Sequence, residues 1–179
     1  MKSVLISIQP KWCELIASGK KTVEVRKTKP KLDTPFKCYI YCTQNTPYNP
    51  VIPMRYEKED GNIYTGGKRY AEFLTGKVIG EFVCDKIYDI TPHFDTPTFP
   101  NQYICGWKYG KDYDCLSFEE LTGYLNGKNG YGWHISDLVI YNKPKELSEF
   151  HKPIMPTGLR YENDAITRPP QSWCYVEEA

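Results

Sequence analysis

The apolar residues of this chain come in short runs rich in β-branched and aromatic side chains, each closed off by proline or glycine. That punctuation permits strands and helices of two or three turns. It excludes long helical bundles, and no run reaches the roughly 18 residues of a membrane-crossing helix. Val4-Leu5-Ile6-Ser7-Ile8 reads as a buried strand, and Phe36 to Cys42 as another. Lys77 to Ile90 predicts one long strand, in which Gly80 marks a bulge. Tyr131 to Tyr141 predicts a further strand, and Trp173 to Val176 an edge strand.

Two helices interrupt the strands. Pro10 suits the first position of a helix carrying Trp12, Leu15 and Ile16, and Gly19 suits its left-handed end. Ser117-Phe118-Glu119-Glu120 is a capping box that opens a second helix running to about Asn126. A helical turn is expected at Leu147 to Phe150, and a short helix near Arg69 to Leu74. Residues 91–116 read as irregular. The pattern predicts an α+β fold, a small mixed β-barrel flanked by short helices. Residues 1–145 would form the barrel domain, with an insertion at about 45–76. Residues 146–179 would form a C-terminal extension packed on the same domain.

At 179 residues the chain is long enough for a core of its own. Seven scattered cysteines, an odd number, argue against a secreted disulfide scaffold. The opening apolar stretch is too short for a signal peptide. The expectation is a cytoplasmic protein with no membrane partner. Cys38 and Cys42 share a strand face but lack a second close pair, and His93, His134 and His151 stand apart, so neither a metal site nor a cofactor is expected.

The net charge of +1 hides an asymmetry. Residues 1–37 carry nine basic against three acidic side chains, a balance of +6, so the remainder holds −5. A field sums local charges, and a basic N-terminal fifth attracts anions although the total is near zero. Within that segment, Thr22-Val23-Glu24-Val25-Arg26 alternates polar and apolar, the mark of a strand with one buried face. Glu24 and Arg26 then share the other face, with Lys20 and Lys21 at its mouth. Arginine grips a phosphate with paired donors, lysine supplies a point charge or a base, and glutamate partners either. The competing reading is a solvated strand face with a modest ion pair.

The run Ile6-Ser7-Ile8-Gln9-Pro10 through Gly19-Lys20-Lys21-Thr22-Val23-Glu24-Val25-Arg26 resembles the signature of the ASCH domain, of the PUA-like superfamily. Its hallmark, G-x-K-x-x-E-x-R after a short helix, is met by Gly19, Lys21, Glu24 and Arg26. Val78 to Phe82 and Gly132 to Ile135 resemble two later strands of the family. The resemblance implies a PUA-like barrel with a charged cleft beneath the motif strand that binds RNA, a nucleotide or a modified nucleoside. Lys20, Lys21 and Arg26 would bind the ligand, with Trp12 and Trp133 as stacking platforms.

Some relatives of this family are acetylcytidine amidohydrolases and others ribonucleases. By that likeness Lys21, Glu24 and Glu81 would be catalytic if the protein is an enzyme. The amidohydrolase threonine falls on Glu24, a departure from the pattern. Glu81 is the candidate glutamate by similarity of context. A third reading is a non-catalytic protein-interaction domain whose charges form a structural network.

Overall fold

The computed structural model describes residues 2–44, 51–57, 63–69, 74–93, 102–107, 113–155, 157–160 and 162–178. The chain runs β1 (Lys2–Ile8), α1 (Pro10–Ala17), β2 (Val23–Arg26), β3 (Phe36–Cys42), β4 (Ile52–Glu57), β5 (Ile63–Arg69), β6 (Lys77–Cys84), β7 (Ile87–His93), β8 (Gln102–Cys105), α2 (Phe118–Leu125), β9 (Gly130–His134), β10 (Ser136–Lys145) and β11 (Trp173–Glu177). A 3-10 turn spans Leu147–Glu149.

Two sheets carry the architecture. One has the order β10-β6-β3-β1-β11, the other β2-β9-β7-β8, and β4-β5 form a separate hairpin. β1 and β3 are parallel, and β11 lies antiparallel on the outer side of β1. The mixed α+β class agrees with the sequence pattern, but among the described residues the strands form two sheets and no closed barrel.

The reason lies in two strands that bend. Lys77 to Ile90 is not continuous: β6 ends at Cys84 in the five-stranded sheet, and β7 begins at Ile87 in the four-stranded one. Tyr131 to Tyr141 breaks likewise at Ile135, between β9 and β10. The two breaks are stitched together where the His134 amide donates to the Lys86 carbonyl and the Ile135 amide donates to Thr22. Strands that change sheet at such corners let two sheets share one core without closing. Gly80 sits beside a one-residue register slip between β3 and β6, and a Cβ there would come 2.4 Å from the Val139 carbonyl oxygen. Close backbone approach explains the glycine.

The core between the sheets holds Val4, Ile6 and Ile8 of β1, Phe36, Cys38, Ile40 and Cys42 of β3, Phe82 of β6 and Trp133 of β9. The opposite faces of β1 and β3 are covered too: Leu5, Tyr39 and Tyr41 pack with Phe150, Ile166 and Val176 of the C-terminal segment. β1 is therefore buried on both faces, as its unbroken apolar run requires. α2 lies against Val25 and Ile90 through Leu121 and Leu125. Its Ser117–Glu120 capping box is formed, and Asn126 ends it in the left-handed conformation.

Two segments read as loops contain strands. β4 and β5 occupy part of 45–76, and β8 pairs with β7 inside 91–116. Prolines and the Gly66-Gly67 pair conceal the hairpin from a pattern reading. The helix expected at 69–74 falls largely outside the described residues.

Candidate functional site

β1 and β3 run parallel, so their carboxyl ends lie side by side, and α1 starts from the same edge. A cavity of about 560 Å³ opens there. Ser7 and Gln9 line it from the end of β1, Trp12 from α1, and Tyr41, Thr43 and Gln44 from the end of β3. Lys21, Glu24 and Arg26 form its charged side. Tyr124 of α2 and the stretch Pro169 to Ser172, just before β11, complete it.

Local structure aims the charged residues. Gly19, at φ 73°, ends α1 by turning the chain sharply, and the amides of Lys20 and Lys21 then close back on the Leu15 carbonyl. This places Lys21 directly before β2. All four residues of β2 are buried, unlike the half-exposed strand the alternation predicts. Val25 packs against α2, while Glu24 and Arg26 face inward between the sheets, in register with Trp133 and Tyr131 of β9.

Lys21, Glu24 and Arg26 are 2%, 5% and 7% exposed, so three charges sit where water scarcely reaches. They persist because each is partnered. Arg26 Nη2 donates to Glu24 Oε1 at 2.8 Å and to the Ser7 carbonyl at 2.6 Å. Arg26 Nη1 reaches Ser172 Oγ at 3.4 Å. Lys21 Nζ stands 3.4 Å from Glu24 Oε2 and donates to the backbone carbonyl of Asp114. Lys21 Nζ also lies 5.1 Å from the Trp12 ring centre, within cation–π range. The cluster carries one net positive charge. Among the described residues, the buried Arg26 Nε has no hydrogen-bond partner. The solvated-face reading of these residues does not describe this arrangement.

The other sequence-derived candidates divide. Trp12 lines the cavity. Lys20 is exposed outside it, its carbonyl accepting from the Cys115 thiol. Trp133 is fully buried in the core, edge-on to Phe36 at 5.8 Å and close to Trp173, so neither ring face is open for stacking. Glu81 does not join Lys21: it sits on the outer part of β6, where Lys37 Nζ is 3.2 Å away and the Tyr141 hydroxyl donates to it. Past the slip at Gly80 the sides of β6 alternate, so Phe82 and Cys84 face the core between the sheets and Glu81, paired with Tyr39, lies on the opposite side. His134, Ser136 and Asp137 form no triad, for His134 pairs with Asp85 and Ser136 with the Val83 carbonyl. Among the described residues no three metal-ligating side chains stand together.

Two parts of the site were missed from sequence. The stretch Tyr113 to Leu116 wraps the mouth of β2. The Tyr113 carbonyl accepts from the amides of Thr22 and Val23, and Asp114 supplies the acceptor for Lys21. Burial raises the Asp114 carboxyl above its ordinary range, partly offset by the Leu116 amide and by Lys21. Cys115 holds a positive φ of 60°, a strained setting for a residue with a Cβ. The second missed part is the Pro169 to Ser172 wall, more than 140 residues from Arg26. Around the mouth, exposed lysines rest on lining rings: Lys11 lies 4.3 Å from the Trp12 ring centre and Lys27 4.9 Å from that of Tyr124. The +6 of residues 1–37 is thus gathered partly about this opening.

Residues 6–92 match the ASCH domain model. The chain resembles the crystal structure of an ASCH protein from Zymomonas mobilis with 21% identity and a TM-score of 0.52, over 98% of this chain and 88% of that one. A tyrosine-to-phenylalanine variant of the Zymomonas mobilis protein aligns with 21% identity and a TM-score of 0.51, over 99% of this chain and 92% of that one. No curated protein matches the chain. Among the described residues no helix is long and apolar enough to cross a membrane. The matched segment contains the whole charged side of the cavity, Lys21, Glu24 and Arg26, and bears out the resemblance to the ASCH domain family over residues 6–92.

Proposed function

We propose that the cavity binds one nucleotide unit, free or within an RNA strand, with its phosphate against Lys21 and Arg26 and its base against the aromatic wall. The observation that carries this reading is the buried Lys21–Glu24–Arg26 cluster on the side of a cavity also lined by Trp12, Tyr41 and Tyr124. A volume of about 560 Å³ lies in the range of small-ligand pockets. Guanidinium has five N–H donors, of which three are engaged here, and ammonium has three, of which two are engaged. The remaining donors, Arg26 Nε among them, suit an oxyanion. The family's association with RNA supports the same reading.

Amide hydrolysis has less support. A water-activating pair of Lys21 and Glu81 requires the two to meet, and Glu81 lies with Lys37 and Tyr141 instead. Glu24 stands where the amidohydrolase relatives have a hydroxyl.

The test is calorimetric titration with the four ribonucleoside 5′-monophosphates and with short single-stranded RNA. Binding that weakens with salt and is lost in Lys21→Met and Arg26→Gln, both melting as cooperative folds, supports the proposal. Absence of binding by every one of these ligands overturns it. Incubation with acetylcytidine is the parallel assay, and release of acetate there returns the reading to hydrolysis.

A further inference from the structure

We infer that the C-terminal segment Pro169 to Ser172 is a specificity-determining wall of this cavity, and that Ser7 and Ser172 are positioning residues that hold Arg26 for an anionic group of the ligand. This rests on the nucleotide reading above and names the part of the site that would discriminate a nucleotide from its nucleoside.

Ser7 is the hub. It is buried, and it makes three different bonds at once. Its hydroxyl donates to the Pro170 carbonyl at 2.6 Å, its amide donates to the Ser172 carbonyl at 2.9 Å, and its own carbonyl accepts from Arg26 Nη2 at 2.6 Å. The C-terminal segment is therefore latched to β1 immediately beside the guanidinium. Ser172 Oγ then meets the other terminal nitrogen, Nη1, at 3.4 Å. One residue further on, the Trp173 indole donates to Thr28 Oγ1 at 3.0 Å, and β11 zips onto β1 from Trp173 to Glu177.

A planar guanidinium held at Nη2 by Glu24 and Ser7, and at Nη1 by Ser172, has its rotation fixed. Its free donors are then fixed as well: Nε and the second hydrogen of Nη1. A preoriented fork binds a phosphate with two donors and loses little entropy on doing so. Among the described residues, Ser172 is the contact that holds Nη1. The family segment ends at residue 92, so the floor and this wall come from opposite ends of the chain. Ligand choice can change through residues 169–172 with the motif untouched.

The experiment uses the full chain and its Ser172→Ala, Ser172→Thr and Ser7→Ala variants. Affinities are measured for each ribonucleoside 5′-monophosphate and its parent nucleoside, and the Arg26 side-chain Nε–H resonance is followed in the ligand-free protein. The ratio of nucleotide to nucleoside affinity is expected to fall about fivefold in Ser172→Ala and to recover in Ser172→Thr, as loss of a bond to a charged group predicts, and to fall less in Ser7→Ala, which keeps the carbonyl that holds Nη2 and loses only the latch to Pro170. The Arg26 resonance should shift in Ser172→Ala and return in Ser172→Thr. An unchanged ratio, or equal losses for both ligands, overturns the inference while leaving the nucleotide reading in place. A wild-type protein that binds neither ligand overturns the nucleotide reading. An Arg26 resonance unmoved in Ser172→Ala overturns the positioning role whatever the ligand.

Discussion

Glu24 Oε1 lies 2.8 Å from Arg26 Nη2, and Glu24 Oε2 lies 3.4 Å from Lys21 Nζ, so one carboxylate sits between two cations. All three side chains are out of bulk water. Removing the carboxylate leaves two buried positive charges without their counterion. Glu24→Ala is therefore expected to destabilise the fold by about 3–5 kcal/mol. Glu24→Gln keeps the shape and the hydrogen-bond acceptor, and should cost less than Glu24→Ala. Urea unfolding of the two variants checks this, and equal costs would contradict the assigned role of the charge.

Two tryptophans separate ligand contact from core packing. Trp12 lines the cavity and is overlaid by Lys11 and Lys21. Trp133 is fully buried against Phe36. Trp133→Ala should cost about 3–5 kcal/mol of stability, the usual penalty for deleting a large core ring. Trp12→Ala should remain cooperative in unfolding yet lose nucleotide affinity. In Trp12→Phe, the fluorescence change on adding nucleotide should largely disappear, whereas a ligand signal from Trp133 would place binding elsewhere.

The motif side of the site was legible because it is local. Lys21, Glu24 and Arg26 fall within six residues, and strand geometry alone puts Glu24 and Arg26 on one face. What sequence spacing did not show is that this face turns inward. A polar, charged alternation normally marks a solvated face. Here the carbonyls of Ser7 and Asp114 and the hydroxyl of Ser172 solvate the charges instead. Those acceptors lie far from the motif in the chain and carry no pattern of their own. The sheet-to-sheet bends were hidden for a related reason: β6 and β7, or β9 and β10, read as one run because each corner, Asp85-Lys86 or Ile135, is at most two residues long and holds no proline or glycine. Trp133 illustrates the limit. Its ring suits either a stacking surface or a core, and only the packing of β9 on Phe36 decides.

Glu81 offers a separate test. Its partners are Lys37 at 3.2 Å and the Tyr141 hydroxyl, with Glu178 sharing Lys37 at 3.4 Å. Burial first, and then the Glu81 carboxylate, hold the Tyr141 phenol above its ordinary range. Tyr141→Phe removes one bond to a partly exposed carboxylate and should cost about 1 kcal/mol. Because the pair lies away from the cavity, Glu81→Gln should leave nucleotide affinity within about twofold, less than the tenfold of 1.4 kcal/mol. A large loss of binding or turnover in Glu81→Gln would restore Glu81 to the site.

The last prediction concerns alkaline pH. Burial pushes the Cys84 thiol up from the usual 9.0 to about 12, and the Cys105 thiol to about 11. In the unfolded chain both thiols ionise near the ordinary value. Below that value the two states bind the same protons, and the stabilising difference is fully present. Between about 9 and 12 the unfolded state loses the Cys84 proton and the folded state keeps it. Stability therefore falls as pH rises through this window, by at most about 1.4 kcal/mol per pH unit for each such thiol. Urea unfolding under reducing conditions at pH 8, 9.5 and 10.5 measures the slope. Cys84→Ala, though less stable at every pH, should show a shallower alkaline decline than the wild type. Parallel curves for the two proteins would contradict a raised Cys84 pKa. The same burial predicts slow alkylation of Cys84 in the native protein at pH 8, with the more accessible Cys115 reacting first.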